Sequence, residues 1–340
     1  MQRKLTSGPL LNDKGELIEA GYATSLLKDY DRKSITASKS RIKEWDYYYV
    51  GDDEKGIALT IADNSYMGLV SISILDFKMK NHITKTKMAF FTNGSYALPN
   101  SSVDGNVVVS GKEYSLAFIN SNGRRNLICQ FENFDGDFPL KLDVTLTELI
   151  PHSLVIATPF AKKSNHFYYN QKINLLKGEG WFSIGNTTYE FDCDTMGVLD
   201  WGRGVWTYKN TWYWASMSGK VDGKLIGFNL GCGFGDNSAA SENILYFDGE
   251  VYKLEDVAFE LELKGSKPNY MANWHFVSRK KDINLVFEPI LNRHSDTNAL
   301  LIRSNQNQVF GYFSGTFKLE DKEITFERIL GFAEKVYNRW

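Results

Sequence analysis

Apolar and polar residues alternate with a period of two along most of the chain. The clearest run places Leu140, Leu142, Val144 and Leu146 on one side, with a polar residue between each pair. Successive side chains of a strand point to opposite faces, so this pattern predicts strands with one buried and one solvated face. Such strands are typical of antiparallel sheets. Similar alternation occurs at residues 57–61, 70–74, 257–263 and 283–287.

The segments between these runs have the chemistry of hairpin turns. Asp248-Gly249 and Gly185-Asn186 each stand between two apolar runs, and the central residues of a two-residue hairpin favour a positive φ. Helical periodicity is scarce and predicts three short helices, at residues 16–30, 37–44 and 328–337.

The strand pattern predicts an all-β protein with about sixteen to twenty short strands. A set this large rarely forms one open sheet, and closure into barrels removes the exposed edges. We therefore predict two antiparallel β-barrels in tandem with few helices. The least strand-like stretch is 160–180, so we place the domain boundary there, giving domains at 1–177 and 178–340.

Charge and hydropathy exclude several classes of function. The 340 residues include 39 Lys and Arg against 41 Asp and Glu, a net charge of −2, which argues against binding of nucleic acid. The first twenty residues lack the apolar run of a secretory signal, and no later run is long enough to form a transmembrane helix. We expect a soluble, cytoplasmic protein.

The residues that usually bind metals or cofactors are scattered. Cys129, Cys193 and Cys232 lie far apart without a CxxC pair, which predicts neither a disulfide scaffold nor a thiolate metal site. The five histidines have no HxH or HExxH spacing, which disfavours zinc. Phosphate-loop, dinucleotide-binding and nucleophile-elbow motifs are also missing from the sequence, so we expect no metal and no cofactor.

Aromatic residues make up 14% of the chain, and four tryptophans fall within fourteen residues of the segment VLDWGRGVWTYKNTWYW. Asp200, Arg203 and Asn210 are interleaved with these indoles, and charged groups are seldom buried unless they are paired. The segment is therefore interpreted as the wall of a ligand pocket, with core packing as the alternative. The four tryptophans are Trp201, Trp206, Trp212 and Trp214.

A second segment, NLGCGFGDNSAASEN, places Gly231, Gly233 and Gly235 at alternate positions. On a strand these glycines would clear one face, either for a ligand or for a tryptophan of a neighbouring strand. Asp236 and Glu242 follow at the expected barrel rim. A carboxylic acid beside an apolar cavity can be held protonated and act as a general acid, although a solvated loop would have the same sequence.

The segment HFYYNQK carries many hydrogen-bonding side chains, including His166 and Tyr168. These two residues are candidate ligand contacts, and a histidine buried between the domains is the alternative for His166.

In chain order, the segments HFYYNQK, VLDWGRGVWTYKNTWYW and NLGCGFGDNSAASEN resemble three motifs of a mostly bacterial family named domain of unknown function 2804. The motifs occur in the same order in that family, and the resemblance covers nearly the whole chain. That family is similar to tandem lipocalin-like proteins, among them AttH-like proteins, carotenoid 1,2-hydratases, survival-factor-like lipid-binding proteins and fungal pericyclases. The resemblance implies two lipocalin-like barrels with a ligand cavity. Asp200-Trp201-Gly202, followed by Trp212 and Trp214, resembles a motif that carries a histidine in the hydratases, and this chain has no such histidine.

Three hypotheses follow. The first is binding of a small apolar ligand, such as a lipid, an isoprenoid or a polyketide-like molecule, in a Trp-rich cavity. The second is a hydratase, isomerase or cyclase in which Asp200 donates a proton and Arg203 or Tyr208 stabilises developing charge. The third is a structural or partner-binding protein without a ligand. The predicted ligand contacts are Trp201, Trp206, Trp212, Trp214, Gly231, Gly233, Asp236, Glu242, His166 and Tyr168.

Overall fold

The computed structural model describes residues 2–299 and 302–339, and it confirms the all-β, lipocalin-like prediction. The chain divides into two compact units, one of residues 3–206 and one of Gln2 with the described residues between 207 and 339. Each unit has a curled antiparallel sheet around its own hydrophobic core. No helix in the described ranges has the length and apolar character needed to cross a membrane.

The first unit is built from strands and two single turns of 3₁₀ helix, at Arg32–Ser34 and Lys39–Arg41. Its strands are β1 (Gly8–Pro9), β2 (Gly21–Ala23), β3 (Lys28–Asp29), β4 (Ile42–Gly51), β5 (Lys55–Asp63), β6 (Met67–Asp76), β7 (Asn81–Phe90), β8 (Val107–Gly111), β9 (Tyr114–Ser121), β10 (Arg124–Asp135), β11 (Phe138–Glu148), β12 (Leu154–Phe160), β13 (Lys163–Ile184), β14 (Thr187–Glu190) and β15 (Met196–Val205).

The main sheet of this unit runs in the order β7-β6-β5-β4-β15-β13-β11-β10-β9-β8. The short strands β12 and β14 pair with β13, and β2 pairs with β12. One face of the sheet encloses the core, to which Tyr48, Leu59, Val144 and Leu199 belong. The last strand of the unit, β15, is therefore central and joins two groups of strands that precede it in the chain.

The second unit has a sheet in the order β19-β18-β17-β16-β26-β25-β24-β23-β20 and a separate two-stranded pair, β21-β22. Its strands are β16 (Lys209–Val221), β17 (Lys224–Cys232), β18 (Ile244–Phe247), β19 (Glu250–Lys253), β20 (Val257–Leu261), β21 (Leu263–Lys264), β22 (Lys267–Pro268), β23 (Trp274–Ser278), β24 (Ile283–Ala299), β25 (Ile302–Lys318) and β26 (Glu323–Arg339). The predicted hairpin at Asp248-Gly249 joins β18 to β19, with φ values of 54° and 85°.

The three predicted helices are wrong. Residues 16–30 contain β2 and β3, residues 37–44 contain a 3₁₀ turn and the start of β4, and residues 328–337 lie within β26. In the last case a register shift interrupts the period-two pattern near Arg328, whose φ is 51°. An irregularity of this kind shifts apolar residues by one position and imitates a helical spacing.

The predicted boundary at Lys177 differs from the division between the compact units, which falls after Trp206. Lys177 lies inside the long strand β13, and its neighbours from 166 to 176 are all buried. A strand buried on both faces carries no alternation, so this stretch looks irregular in the sequence although it is central in the sheet.

Candidate ligand-binding site

Strand β15 directs alternate side chains to the two faces of the first sheet. Leu199, Trp201 and Val205 belong to the hydrophobic core, so Asp200 and Gly202 lie on the opposite face. On this opposite face β15 has β4 on one side and β13 on the other. Aromatic and polar side chains of both neighbours therefore surround Asp200.

The Asp200 carboxylate accepts three hydrogen bonds from these neighbours. Its Oδ1 accepts from Asn170 Nδ2 at 2.6 Å and from Lys172 Nζ at 2.9 Å, while its Oδ2 accepts from Trp45 Nε1 at 3.0 Å. The side chain of Asp200 is 12% exposed and that of Lys172 is 4% exposed. We name Trp45, Asn170, Lys172 and Asp200 the Asp200 cluster; it holds a buried ion pair with an amide and an indole as further donors.

Aromatic rings pack around this cluster. The Trp45 indole stacks on Tyr168, with ring centres 6.1 Å apart and an interplanar angle of 7°, and meets Trp206 edge-on at 5.1 Å. Gly202 makes room for the Trp45 ring, because a Cβ atom at this position would lie 1.9 Å from Trp45 Cζ2. The glycine of the Asp-Trp-Gly segment thus allows Trp45 to reach Asp200.

Trp201 lies on the other face, inside the core of the first unit. It is fully buried and meets Tyr30 and Tyr169 edge-on, at ring-centre distances of 6.3 and 5.7 Å. The sequence left Trp201 either in a pocket wall or in the core, and its position corresponds to core packing.

Arg203 shares the core face with Trp201 and is also fully buried. Its guanidinium lies 4.2 Å from the Trp201 ring centre and donates to Asp46 Oδ1 at 2.9 Å. The same group donates to the backbone carbonyls of Trp45, Gly202 and Pro99. Burial raises the pKa of Asp46, and the Arg203 charge opposes this rise. Arg203 is therefore bonded within the core and lies on the face opposite to Asp200.

In the second unit, Trp212 and Trp214 lie on the face of β16 that is opposite to the core residues Ala215 and Met217. The Trp212 indole donates to Glu334 Oε1 at 2.8 Å, and the Trp214 indole donates to Asn229 Oδ1 at 2.6 Å. Both indoles thus combine an apolar body with a fixed polar contact.

The glycine segment only partly adopts the expected strand. Gly231 lies in β17, where its amide donates to Asn243 Oδ1 at 2.8 Å and a Cβ atom would lie 3.0 Å from Glu242 Cβ. β17 ends at Cys232, and Gly233 and Gly235 have φ values of 89° and 72°. These two glycines therefore form a turn, which brings the buried Glu242 back over Gly231.

The remaining predicted residues have local partners. Asp236 accepts from the Ser238 amide at 3.0 Å, and hydrogen bonds from Ser238 lower its pKa. His166 is buried, and desolvation, helped by the charges of Lys163 and Arg41, lowers its pKa to about 4. Tyr208 is 43% exposed at the start of the second unit. Asn210 donates to the Thr207 carbonyl at 2.7 Å and belongs to the same turn.

Sequence reasoning missed Trp45, Asn170 and Lys172 as partners of Asp200, although Asn170 and Lys172 lie in the segment HFYYNQK. A signal for Trp45 exists, since Trp45, Tyr47 and Tyr49 occupy alternate positions. The predicted helix at 37–44 ended just before that run. Lys172 carries no comparable signal, because its role depends on pairing with Asp200, 28 residues away.

Chemically, the Asp200 cluster offers one carboxylate acceptor and one ammonium donor among aromatic rings. Such a pair can hold a hydroxyl or carbonyl group of an otherwise apolar molecule, or can exchange a proton with it. Among residues 2–299 and 302–339, no three His, Cys, Asp or Glu side chains are grouped so that they could hold a metal ion.

The sequence profile of a family described as domain of unknown function DUF2804 matches residues 2–340. The chain belongs to this family. The predicted resemblance is thereby confirmed. Membership in DUF2804 covers both units and identifies no activity. No curated protein is similar enough in sequence to count as a relative.

Solved structures share the fold of this family member. A protein assigned as AttH (NE1406) from Nitrosomonas europaea has a TM-score of 0.56 and 12% identity, over 92% of this chain and 98% of that one. Kievitone hydratase from Nectria haematococca has a TM-score of 0.51 and 10% identity, over 98% of each chain. CghA with Sch210972 has a TM-score of 0.51 and 9% identity, over 98% and 97%. At these identities the likeness concerns the fold alone.

Proposed function

We propose that this DUF2804 protein binds a small, mainly apolar ligand and that the Asp200 cluster provides the ligand's polar contact. The observation that carries the proposal is the Asp200 carboxylate itself. It is held by Lys172, Asn170 and Trp45 and surrounded by aromatic rings. Small-molecule sites commonly combine an apolar, aromatic lining with a few well-placed polar groups.

The energetics of buried charge support this role over simple packing. Removing two charged groups from water carries a penalty that their attraction often fails to repay, and apolar residues of similar volume are frequently as stable. A buried Lys172–Asp200 ion pair is therefore expected to contribute little to the free energy of unfolding, so stability alone does not explain it. A buried ion pair surrounded by aromatic side chains is a candidate for the polar contact of a ligand site.

For the second unit taken by itself, we propose Trp212, Trp214 and Glu242 as contacts for an apolar ligand within that unit. Trp212 and Trp214 each present a ring whose indole nitrogen is already engaged, by Glu334 and Asn229 respectively. The ring faces are then the part of each side chain suited to apolar contact.

The alternative function is enzymatic and uses the same cluster. Water addition, isomerisation or cyclisation requires a group that gives up a proton, and Asp200 was the predicted donor. Because Asp200 accepts three hydrogen bonds, one of them from an ammonium group, we propose that Lys172 is the better donor and Asp200 the acceptor in such a step. The fold shared with kievitone hydratase is compatible with this alternative.

Native mass spectrometry of the protein purified from its own host tests the proposal for any ligand that stays bound through purification. We expect a retained apolar small molecule. In the Asp200→Asn variant the carboxylate charge is lost while the shape is kept, so the occupied fraction should fall, with affinity reduced about tenfold, or about 1.4 kcal/mol.

Asp143→Asn is the matched control, since Asp143 is an exposed carboxylate of the same unit. It should leave occupancy unchanged. Repeated absence of any retained molecule from the wild-type protein, or equal occupancy in the wild type and a folded Asp200→Asn variant, would contradict the proposal.

A further inference from the structure

A separate cavity of about 650 Å³ opens at one end of the first unit. It lies where the turns β4–β5, β6–β7, β10–β11 and β13–β14 meet, so it is formed by four hairpin ends. Ile74 and Phe182, which line it, belong to the core of this unit. The cavity is therefore continuous with the core face of the sheet, whereas Asp200 lies on the opposite face.

Aromatic side chains form much of the cavity entrance. Phe182 is buried and stacks on Tyr189, with ring centres 4.9 Å apart and an interplanar angle of 16°. Tyr189 is 40% exposed, and Phe138, also part of the lining, is 60% exposed. Large apolar side chains that stay exposed beside a cavity of this volume are typical of a ligand-binding site.

Only some of the charged side chains that line the cavity form ion pairs. Lys78 pairs with Glu54 at 2.5 Å, and Lys55 pairs with Asp52 at 2.7 Å, so both lysines of the lining are engaged. The carboxylates of Asp76 and Asp135 also line the cavity, and neither forms an ion pair within residues 2–299 and 302–339. The entrance thus combines π faces with two carboxylates that lack a cation partner there.

We propose that this cavity binds a cationic amphiphile, a molecule with an apolar body and an amine or quaternary ammonium head. The apolar body would lie against Ile74, Ile83 and Phe182, which line the cavity. The head would lie at the entrance, where aromatic faces and carboxylates both attract a cation. An anionic head would be repelled by Asp76 and Asp135. This site is independent of the Asp200 cluster.

Isothermal titration calorimetry with three probes that share a ten-carbon chain, each kept below its micellar concentration or its solubility limit, tests the proposal. The probes are decyltrimethylammonium, decanoate and decanol. We expect decyltrimethylammonium to bind the full-length protein about tenfold more tightly than decanoate, with decanol between them. Equal affinity for the three probes, or tighter binding of decanoate, would overturn the assignment of a cationic ligand.

Two sets of variants locate the binding. Asp76→Asn with Asp135→Asn should abolish the preference for the ammonium probe and leave decanol binding unchanged. The amide oxygen at position 76 can still accept from the Met79 amide, as Asp76 does. The control variant, Asp137→Asn with Glu190→Gln, removes the same amount of negative charge. Both positions are exposed and belong to hairpins that form the cavity, but they lie outside its lining, so this variant should keep the preference for the ammonium probe.

Ile184→Trp should fill the cavity and weaken the binding of all three probes. Tyr189→Ser, a smaller change at a partly exposed position, should weaken binding of the ammonium probe even if Ile184→Trp does not fold. Asp200→Asn should bind decyltrimethylammonium as the wild type does, which separates this site from the proposed one. Absence of binding, or binding that Tyr189→Ser and a folded Ile184→Trp leave unchanged, would refute the proposal.

Discussion

Arg203→Met is expected to lower the free energy of unfolding by about 3–5 kcal/mol, the usual loss when one partner of a buried ion pair is removed. Arg203 and Asp46 are both buried in the core of the first unit, with 2.9 Å between the guanidinium and Asp46 Oδ1. Methionine fills a similar volume but leaves the Asp46 carboxylate without a counter-ion. Urea unfolding of the two proteins measures the loss.

The control for this prediction is the double variant Arg203→Met with Asp46→Asn. Removing the carboxylate charge as well should recover roughly half of the lost stability, while the backbone carbonyls that Arg203 contacted stay without their donor. A double variant less stable than Arg203→Met alone would show that the two charges do not compensate each other.

The stability loss in Arg203→Met should also depend on pH. Burial already raises the pKa of Asp46, and removing Arg203, which opposes this rise, should raise that pKa further. Above the ordinary carboxyl pKa of about 3.9 the unfolded chain gives up its proton more readily than the folded one, so stability falls as pH rises through that window. The difference between variant and wild type should be largest near neutral pH and smallest near pH 4. A constant difference between these pH values would contradict the buried-charge explanation.

Gly202→Ala is expected to lower the free energy of unfolding by about 3 kcal/mol, at the upper end for overpacking of a buried site. The new Cβ atom would lie 1.9 Å from Trp45 Cζ2, so the indole must move. Tyr168 and Trp206 pack against that indole and restrict its movement. Chemical unfolding, followed by tryptophan emission, measures the loss of stability.

Combining Gly202→Ala with Trp45→Ala provides the matched test. The smaller side chain at position 45 removes the overlap, so the double variant should be more stable than the sum of the two single losses predicts. If the stability losses of the two single variants simply add in the double variant, the contact between Gly202 and Trp45 is not the cause of the loss in Gly202→Ala.

The strand that the sequence predicted most clearly is one with a solvated face. Residues 140–146 alternate cleanly, and they form β11, whose alternate residues are buried. By contrast, every residue of β15 is buried, so its pattern carries no period of two. Strands of this kind can be recognised as apolar, but the sequence does not show which side chains lie on which face or which strands pair with them.

The candidate site was only partly predictable for the same reason. Asp200 was conspicuous because a charged residue stands among indoles. Its partners Trp45 and Lys172 come from other strands, 155 and 28 residues away, and strand register alone brings them together. Register is set by sheet pairing across long separations, which a single sequence does not reveal. Thus the segment that carries Asp200 could be found, and the chemistry around its carboxylate could not.

The place of β15 in the sheet has a consequence for biosynthesis. This strand pairs with β4 on one side and β13 on the other, so among the described residues the sheet pairing between the strands β4–β7 and the strands β8–β13 passes through the last strand of their unit. While a ribosome is still making residues 196–205, both groups of strands have an unpaired edge at the place where the sheet will close. Contacts over such long separations are slow to form, and the nascent first unit can reach its native topology only after residue 205 has left the exit tunnel.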